Sequence, residues 1–180
     1  FIFVIQFIMN SIKIDNDIII NTCSNFDNEQ KKISLNTNIN FIQFHFCLEG
    51  KVILNYNDRA YQFQLSENSS IILFNPSTNL PIDGELEKNS KYLSLLITIK
   101  KFHGLFSELT GNISFLSNEN VDKKYYKENV ISPQISTVLN QIINEKLSDN
   151  VKNLYLKGKI FELLGMYFNE SNDLNIEQCP

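Results

Sequence analysis

Gln43, His45 and Glu49 lie close together and have the residue types that metal chemistry uses. In many β-barrel metal centres two histidines one residue apart and a glutamate shortly after line the barrel, and a third histidine arrives from a later strand. Such a centre needs several nitrogen and oxygen ligands converging on one ion. This sequence has two histidines, His45 and His103, and none from Ile71 to Ile99. Gln43 stands where one histidine would be, and His103 falls in a segment that reads as helix. The expectation is no metal and no cofactor. His45 then reads as a hydrogen-bonded interior imidazole, because a neutral ring both donates and accepts. Cys47 on the same face reads as a small buried hydrophobe.

Other chemistries find no footing. No G-x-S-x-G elbow marks a nucleophile, and the phosphate-cradling patterns G-x-x-x-x-G-K-[ST] and G-x-G-x-x-G are absent. Cys23, Cys47 and Cys179 are far apart, odd in number and form no C-x-x-C pair, which fits free thiols in a reducing, cytoplasmic compartment. Net charge is -4 and Arg59 is the sole arginine, so the segment is not expected to grip DNA by neutralising phosphates. Lys123-Lys124-Tyr125-Tyr126-Lys127 therefore reads as a solvated turn with aromatic packing. What remains is a set of polar-tipped side chains that a small ligand would meet inside an apolar cup: Gln43, His45, Tyr56, Arg59, Tyr61 and Tyr92. Arg59 could pair with an anionic group on such a ligand, although a surface ion pair is its simpler use. This is the profile of a binding protein, not an enzyme; the alternatives are a metal-dependent barrel enzyme, against which the histidine count argues, and a barrel filled by its own side chains with only a scaffolding role.

These residues sit on short strands. The chain has 180 residues, 43% of them hydrophobic and 20% charged, enough to bury a real core. Asp17 to Asn21 is a β-branched run. In Phe41 to Leu48, Ile42, Phe44, Phe46 and Leu48 share one face while Phe41, Gln43, His45 and Cys47 share the other. Glu49-Gly50 turns the chain into Lys51 to Tyr56, and Asn57-Asp58 makes a second tight turn into Arg59 to Leu65. Ser70 to Phe74 and Tyr92 to Ile99 complete the set. Strands at this spacing, without intervening long helices, predict an antiparallel sandwich or barrel.

After Lys100 the apolar period changes from two to between three and four. Lys100 to Leu109 reads as a short helix ended by Gly111, while Ile113 to Leu116 and Lys124 to Val130 are each strand or loop. Ser132-Pro133 opens a helix whose stripe is Ile135, Val138, Leu139, Ile142, Ile143 and Leu147. Asp149 opens another, reaching about Asn169, with Leu154, Phe161, Leu164 and Phe168 as its apolar set and Ile160, Leu163 and Tyr167 widening the face. Gly158 and Gly165 on that helix suggest close helix contact. The short link predicts an antiparallel pair. The apolar stretch Phe1 to Met9 is too short to span a bilayer and lacks signal-peptide flanks. It reads as translated sequence upstream of a start at Met9, or as an extra edge strand.

The stretch Phe44-His45-Phe46-Cys47-Leu48-Glu49-Gly50-Lys51-Val52, then Tyr61 to Leu65, then Ile71-Ile72-Leu73-Phe74-Asn75-Pro76, resembles the N-terminal cupin-like domain of AraC-family transcription regulators. Leu154 to Leu164 resembles the helix that follows in the siderophore-sensing branch, and Glu177 to Pro180 is similar to the segment leading into its helix-turn-helix domain. Asn68-Ser69 stands where the family often has a glycine, a position Asn also tolerates. The resemblance implies an α+β fold, an antiparallel cupin-like (jelly-roll) β-barrel followed by an antiparallel pair of α-helices. It divides the chain into an effector barrel at 10–116, a helical dimerisation region at 117–170 and the start of a linker at 171–180. It further implies a small-molecule effector, a ferric siderophore in that branch, and a homodimer through Leu154, Gly158, Phe161, Gly165 and Phe168. No membrane partner is implied. DNA would be read by a helix-turn-helix domain beyond Pro180.

Overall fold

Two antiparallel sheets face each other in the computed structural model, which describes residues 7–106 and 123–170. The strands are β1 (Phe7–Lys13), β2 (Ile18–Asn25), β3 (Lys31–Leu35), β4 (Phe41–Glu49), β5 (Lys51–Tyr56), β6 (Tyr61–Ser66), β7 (Ser69–Phe74), β8 (Ile82–Leu86), β9 (Ser90–Thr98) and β10 (Tyr125–Val130). The helices are α1 (Ile99–Phe106), α2 (Pro133–Ile143) and α3 (Asp149–Glu170). One sheet runs β1-β2-β9-β4-β7-β10 and the other β3-β8-β5-β6. The turn at Gly50 passes the chain from one sheet to the other, giving a cupin-like sandwich with helices on one outer face. Gly50 has a φ of +70, and an added Cβ would lie 2.5 Å from Ser90 Oγ, so this corner admits no side chain.

Strand β4 shows why both of its faces are apolar. Ile42, Phe44, Phe46 and Leu48 pack in a core shared with the helices. Cys47 lies in a second core between the sheets, with Phe41 packed against it. A strand covered on both faces needs hydrophobic residues at both parities. Helix α2 begins as its sequence demands: Ser132 Oγ accepts from the Ile135 N–H at 3.2 Å, and Pro133 takes the first position.

Several expectations change. Arg59 lies in the β5–β6 turn at φ 69, beside Asn57 and Asp58 at φ 51 and 52, and not in a strand. Residues 125–130, open between strand and loop from the sequence, form a strand paired to β7 and at the edge of the sheet among the described residues, and the helices share one core with that sheet. Helix α2 stops at Ile143, which leaves Leu147 45% exposed. On α3 the buried set is Leu156, Ile160, Leu163, Leu164 and Tyr167, while Leu154 is 76% exposed and Phe161 is 37% exposed. Phe7 and Ile8 pair with Asn25 and Ser24, so the edge-strand reading of this segment holds from Phe7 onward. Strands β3 and β8 were not anticipated. The segments at 113–116 and 171–180 lie outside the described residues.

Candidate functional site

His45 is buried on the inner face of β4, between the sheets. Its Nδ1 lies 2.6 Å from Tyr92 Oη, and its Nε2 lies 3.0 Å from Gln43 Oε1 and 3.2 Å from Tyr56 Oη. The Gln43 amide settles the proton positions. Its Nε2 donates to the Leu80 carbonyl at 2.6 Å and to Thr37 Oγ1 at 3.3 Å, so its Oε1 must face the ring. An amide oxygen only accepts, so His45 Nε2 carries the proton and donates to it. Nδ1 is then the acceptor, and the Tyr92 hydroxyl donates. Tyr56 Oη in turn donates to Gln43 Oε1 at 3.4 Å.

Burial holds this imidazole neutral, with its pKa pushed down to about 3, because a charged ring would be stripped of water here. Burial likewise raises the Tyr56 and Tyr92 hydroxyls and pushes the Cys47 thiol up to about 12. Cys23 and Cys47 are free, and both flank Tyr92 in register on neighbouring strands. The residues present do not fit a metal. Both ring nitrogens of His45 are engaged, Gln43 offers one neutral oxygen already in use, and no group of three or more His, Cys, Asp or Glu among the described residues converges.

A cavity of about 430 Å³ opens beside this network, at the end of the sandwich where β5, β7 and β10 meet the 75–81 loop. Tyr56, Tyr61, Phe63, Phe74, Tyr125 and Tyr126 supply six aromatic walls, with Leu73, Leu80 and Pro81 between them. The polar members are Asn57, Asp58, Asn75, Thr78, Asn79 and Lys124. The volume and the apolar body with a few polar groups suit a drug-sized ligand. Tyr56 belongs to both regions, its ring lining the cavity and its hydroxyl held by the network. Leu80 also belongs to both, because its carbonyl anchors Gln43 and Thr37. The cavity and the hydrogen-bonded interior thus meet at Tyr56 and Leu80.

Of the six residues proposed from sequence, four converge: Gln43, His45, Tyr56 and Tyr92. Of those four, only Tyr56 lines the cavity; Tyr61 joins it from the β6 edge. Arg59 does neither and pairs with Glu85 at 2.8 Å on an exposed face. Sequence reading missed the contributions of the 75–81 loop and β10. The tyrosines of Lys123 to Lys127 were the available signal, and they were read as packing around a solvated turn.

Comparison with known proteins places this geometry. A family model described as the N-terminal domain of the regulatory protein PchR matches residues 8–176. No curated protein matches the sequence. Among solved structures the chain is similar to an apo variant of ToxT from Vibrio cholerae strain SCE256, at 13% identity over 92% of this chain and 60% of that one, with a TM-score of 0.56. It is similar also to unsaturated fatty acid-bound wild-type ToxT from the same strain, at 14% identity over 91% of this chain and 59% of that one, with a TM-score of 0.50. The likeness is one of fold, and the chain spans about 60% of the ToxT length.

Proposed function

This chain belongs to the PchR N-terminal domain family of AraC-type regulatory proteins, and we propose that it is the unit that senses an effector and dimerises. The observation carrying the first half is the cavity of about 430 Å³ at the sandwich mouth. Six aromatic walls favour a ligand with rings of its own, which within the ferric siderophore class that the family resemblance implies selects an aromatic member, over an acyl chain like the fatty acid of ToxT. The role is binding without turnover, since the buried histidine is neutral and saturated with partners. Calorimetric titration with a ferric siderophore bearing aromatic rings and, separately, with an unsaturated fatty acid tests the reading. Binding of the siderophore supports it, binding of the fatty acid alone reassigns the ligand class, and silence from both sinks it.

The second half rests on α3. Val151, Leu154, Gly158, Phe161 and Gly165 alternate spacings of three and four, which lays them along one face. Val151, Leu154 and Phe161 are 47%, 76% and 37% exposed, and a Cβ added at either glycine meets nothing within 4 Å. Exposed apolar side chains lined up with residues small enough for close approach suit a second copy of the same helix. Phe168, expected on this stripe, instead packs against Phe44, Phe102 and Phe106 and is left out of it. Sedimentation equilibrium should give a dimer that the Leu154→Glu, Phe161→Glu double variant converts to monomer; a wild-type monomer at high concentration refutes the claim. Reading of DNA, and with it a cytoplasmic site of action, is assigned to another part of the regulator. No helix among the described residues is long and apolar enough to cross a membrane.

A further inference from the structure

Two neighbouring strands each carry cavity residues at one end and, near the other, a partner of the same α3 hydroxyl. On β7, Leu73 and Phe74 line the cavity, and Ser70 Oγ lies 3.1 Å from Tyr167 Oη. On β10, Tyr125 and Tyr126 line the cavity, and Asn129 Nδ2 donates to Tyr167 Oη at 2.7 Å. The register turns these into cross-strand pairs. Tyr125 sits opposite Phe74, Tyr126 opposite Leu73, and Asn129 opposite Ser70.

The polar end closes on itself. Ser70 Oγ donates to the Asn129 carbonyl at 3.3 Å, so the Tyr167 hydroxyl gives its proton to Ser70 Oγ and receives one from Asn129. Tyr167 is 3% exposed, and its ring meets Phe44 and Phe46 edge-on with centroids 6.0 and 5.8 Å away. A ring gripped this way cannot move without its helix, because close-packed interiors transmit displacement. Three or four residues separate the cavity end of β10 from Asn129, roughly 10–13 Å of extended chain. Among the described residues β10 pairs only to β7, so shifting it disturbs one described ladder.

We propose that the β7–β10 ribbon is a lever that transmits the state of the cavity to the C-terminal half of α3, with the Tyr167 hydroxyl as its joint. The proposal rests on the effector reading for its biological input, but its mechanics can be tested without any ligand. A contact remade at Tyr126 tilts the cavity end of the ribbon; Asn129 and Ser70 carry that tilt to Tyr167, and α3 answers.

Amide hydrogen exchange on the full chain tests this with Tyr126→Ala, Tyr167→Phe and the double variant. Tyr126→Ala removes a cavity wall, while Tyr167→Phe keeps the packed ring and deletes only the joint. Tyr126→Ala is expected to speed exchange at Ile160 to Phe168 about tenfold, and less than about twofold when added to Tyr167→Phe. Amides of Val138 to Ile142 in α2, which share the same core, should stay unchanged. Equal acceleration in both backgrounds, no acceleration in either, or the same acceleration in α2 each overturns the lever. If near-UV circular dichroism shows that Tyr126→Ala has lost its fold, Tyr126→Leu replaces it under the same criteria. Failure of the effector reading would show instead in the ligand titrations, so the two failures are separable.

Discussion

On one side of Tyr56 lies the His45 network, in which the Gln43 amide, both imidazole nitrogens and the Tyr92 hydroxyl all have partners. On the other side lies the cavity, where the side chains of Asn57, Asp58, Tyr61 and Thr78 make no hydrogen bond with any described residue. Both regions are built around tyrosines, and they differ in what remains unspent. A buried polar group costs about 1–3 kcal/mol if left without a partner, so the interior must saturate itself. A saturated interior has nothing left to offer a ligand or an ion. Groups at the mouth keep water as their partner and can exchange it for a ligand. The strand position at which the sequence suggests metal chemistry is here filled by hydrogen bonds, and the proposed recognition lies outward at the rim. Asn55 Nδ2, a buried side-chain nitrogen with no hydrogen-bond partner among the described residues, points away from Tyr56 by strand alternation and so leaves the network's closure intact.

The largest effect should come from opening the closed region. His45→Ala removes the acceptor of the Tyr92 hydroxyl, takes one of two donors from Gln43 Oε1 and leaves a hole, which should cost about 3–5 kcal/mol in a urea melt. A loss below about 1 kcal/mol would mean that water rebuilds the network and that the closure is loose. The next largest effect is on pH dependence. With the folded ring at about 3 and an ordinary value of 6.5, the unfolded chain binds more protons between those limits. Stability from this group is complete above pH 6.5 and falls as the pH drops toward 3. Between pH 6.5 and 4.5 the loss should be about 2 kcal/mol. Subtracting the same titration of His45→Gln removes the carboxylate background, and a zero difference would show that the ring is accessible to protons after all.

How far the sequence carries this contrast depends on where the information lies. Strand β4 was legible because both parities of Phe41 to Leu48 are informative within eight residues. Strands β3 and β8 were not, because Lys31–Leu35 and Ile82–Leu86 bury only Ile33, Ile82, Gly84 and Leu86 and, apart from the half-buried Leu35, otherwise carry turn-like or charged residues. The closed network was half visible, since Gln43 and His45 share one strand face, while Thr37 and Leu80 reach it through loops. The cavity was nearly invisible. It exists because β10 pairs with β7 some 50 residues earlier, and no local period encodes that pairing. Helix α3 misled for a different reason. It is apolar on two faces, so Leu154 and Phe161 compete with Leu156, Ile160 and Leu163, and one sequence does not say which face another element covers.

Two smaller effects test the open side. Thr78→Trp places a ring into the cavity from an exposed loop, so it should weaken effector binding at least about tenfold while moving stability by less than about 0.5 kcal/mol. Unchanged binding with the ring in place would put the ligand elsewhere. The smallest effect is expected at Arg59, which sits one residue beyond the cavity's Asp58 and faces outward to Glu85. Its side chain is 58% exposed, and pairs of this kind contribute about 0–1 kcal/mol. Its backbone is held at φ 69, a left-handed conformation that costs a non-glycine residue about 1–2 kcal/mol. Arg59→Ala should therefore leave the denaturation midpoint and the effector affinity where they were, whereas Arg59→Gly should raise the midpoint slightly by relieving the turn. An affinity loss above about twofold in Arg59→Ala, measured against the same effector, would carry the rim past Asp58 onto the outer face of the smaller sheet.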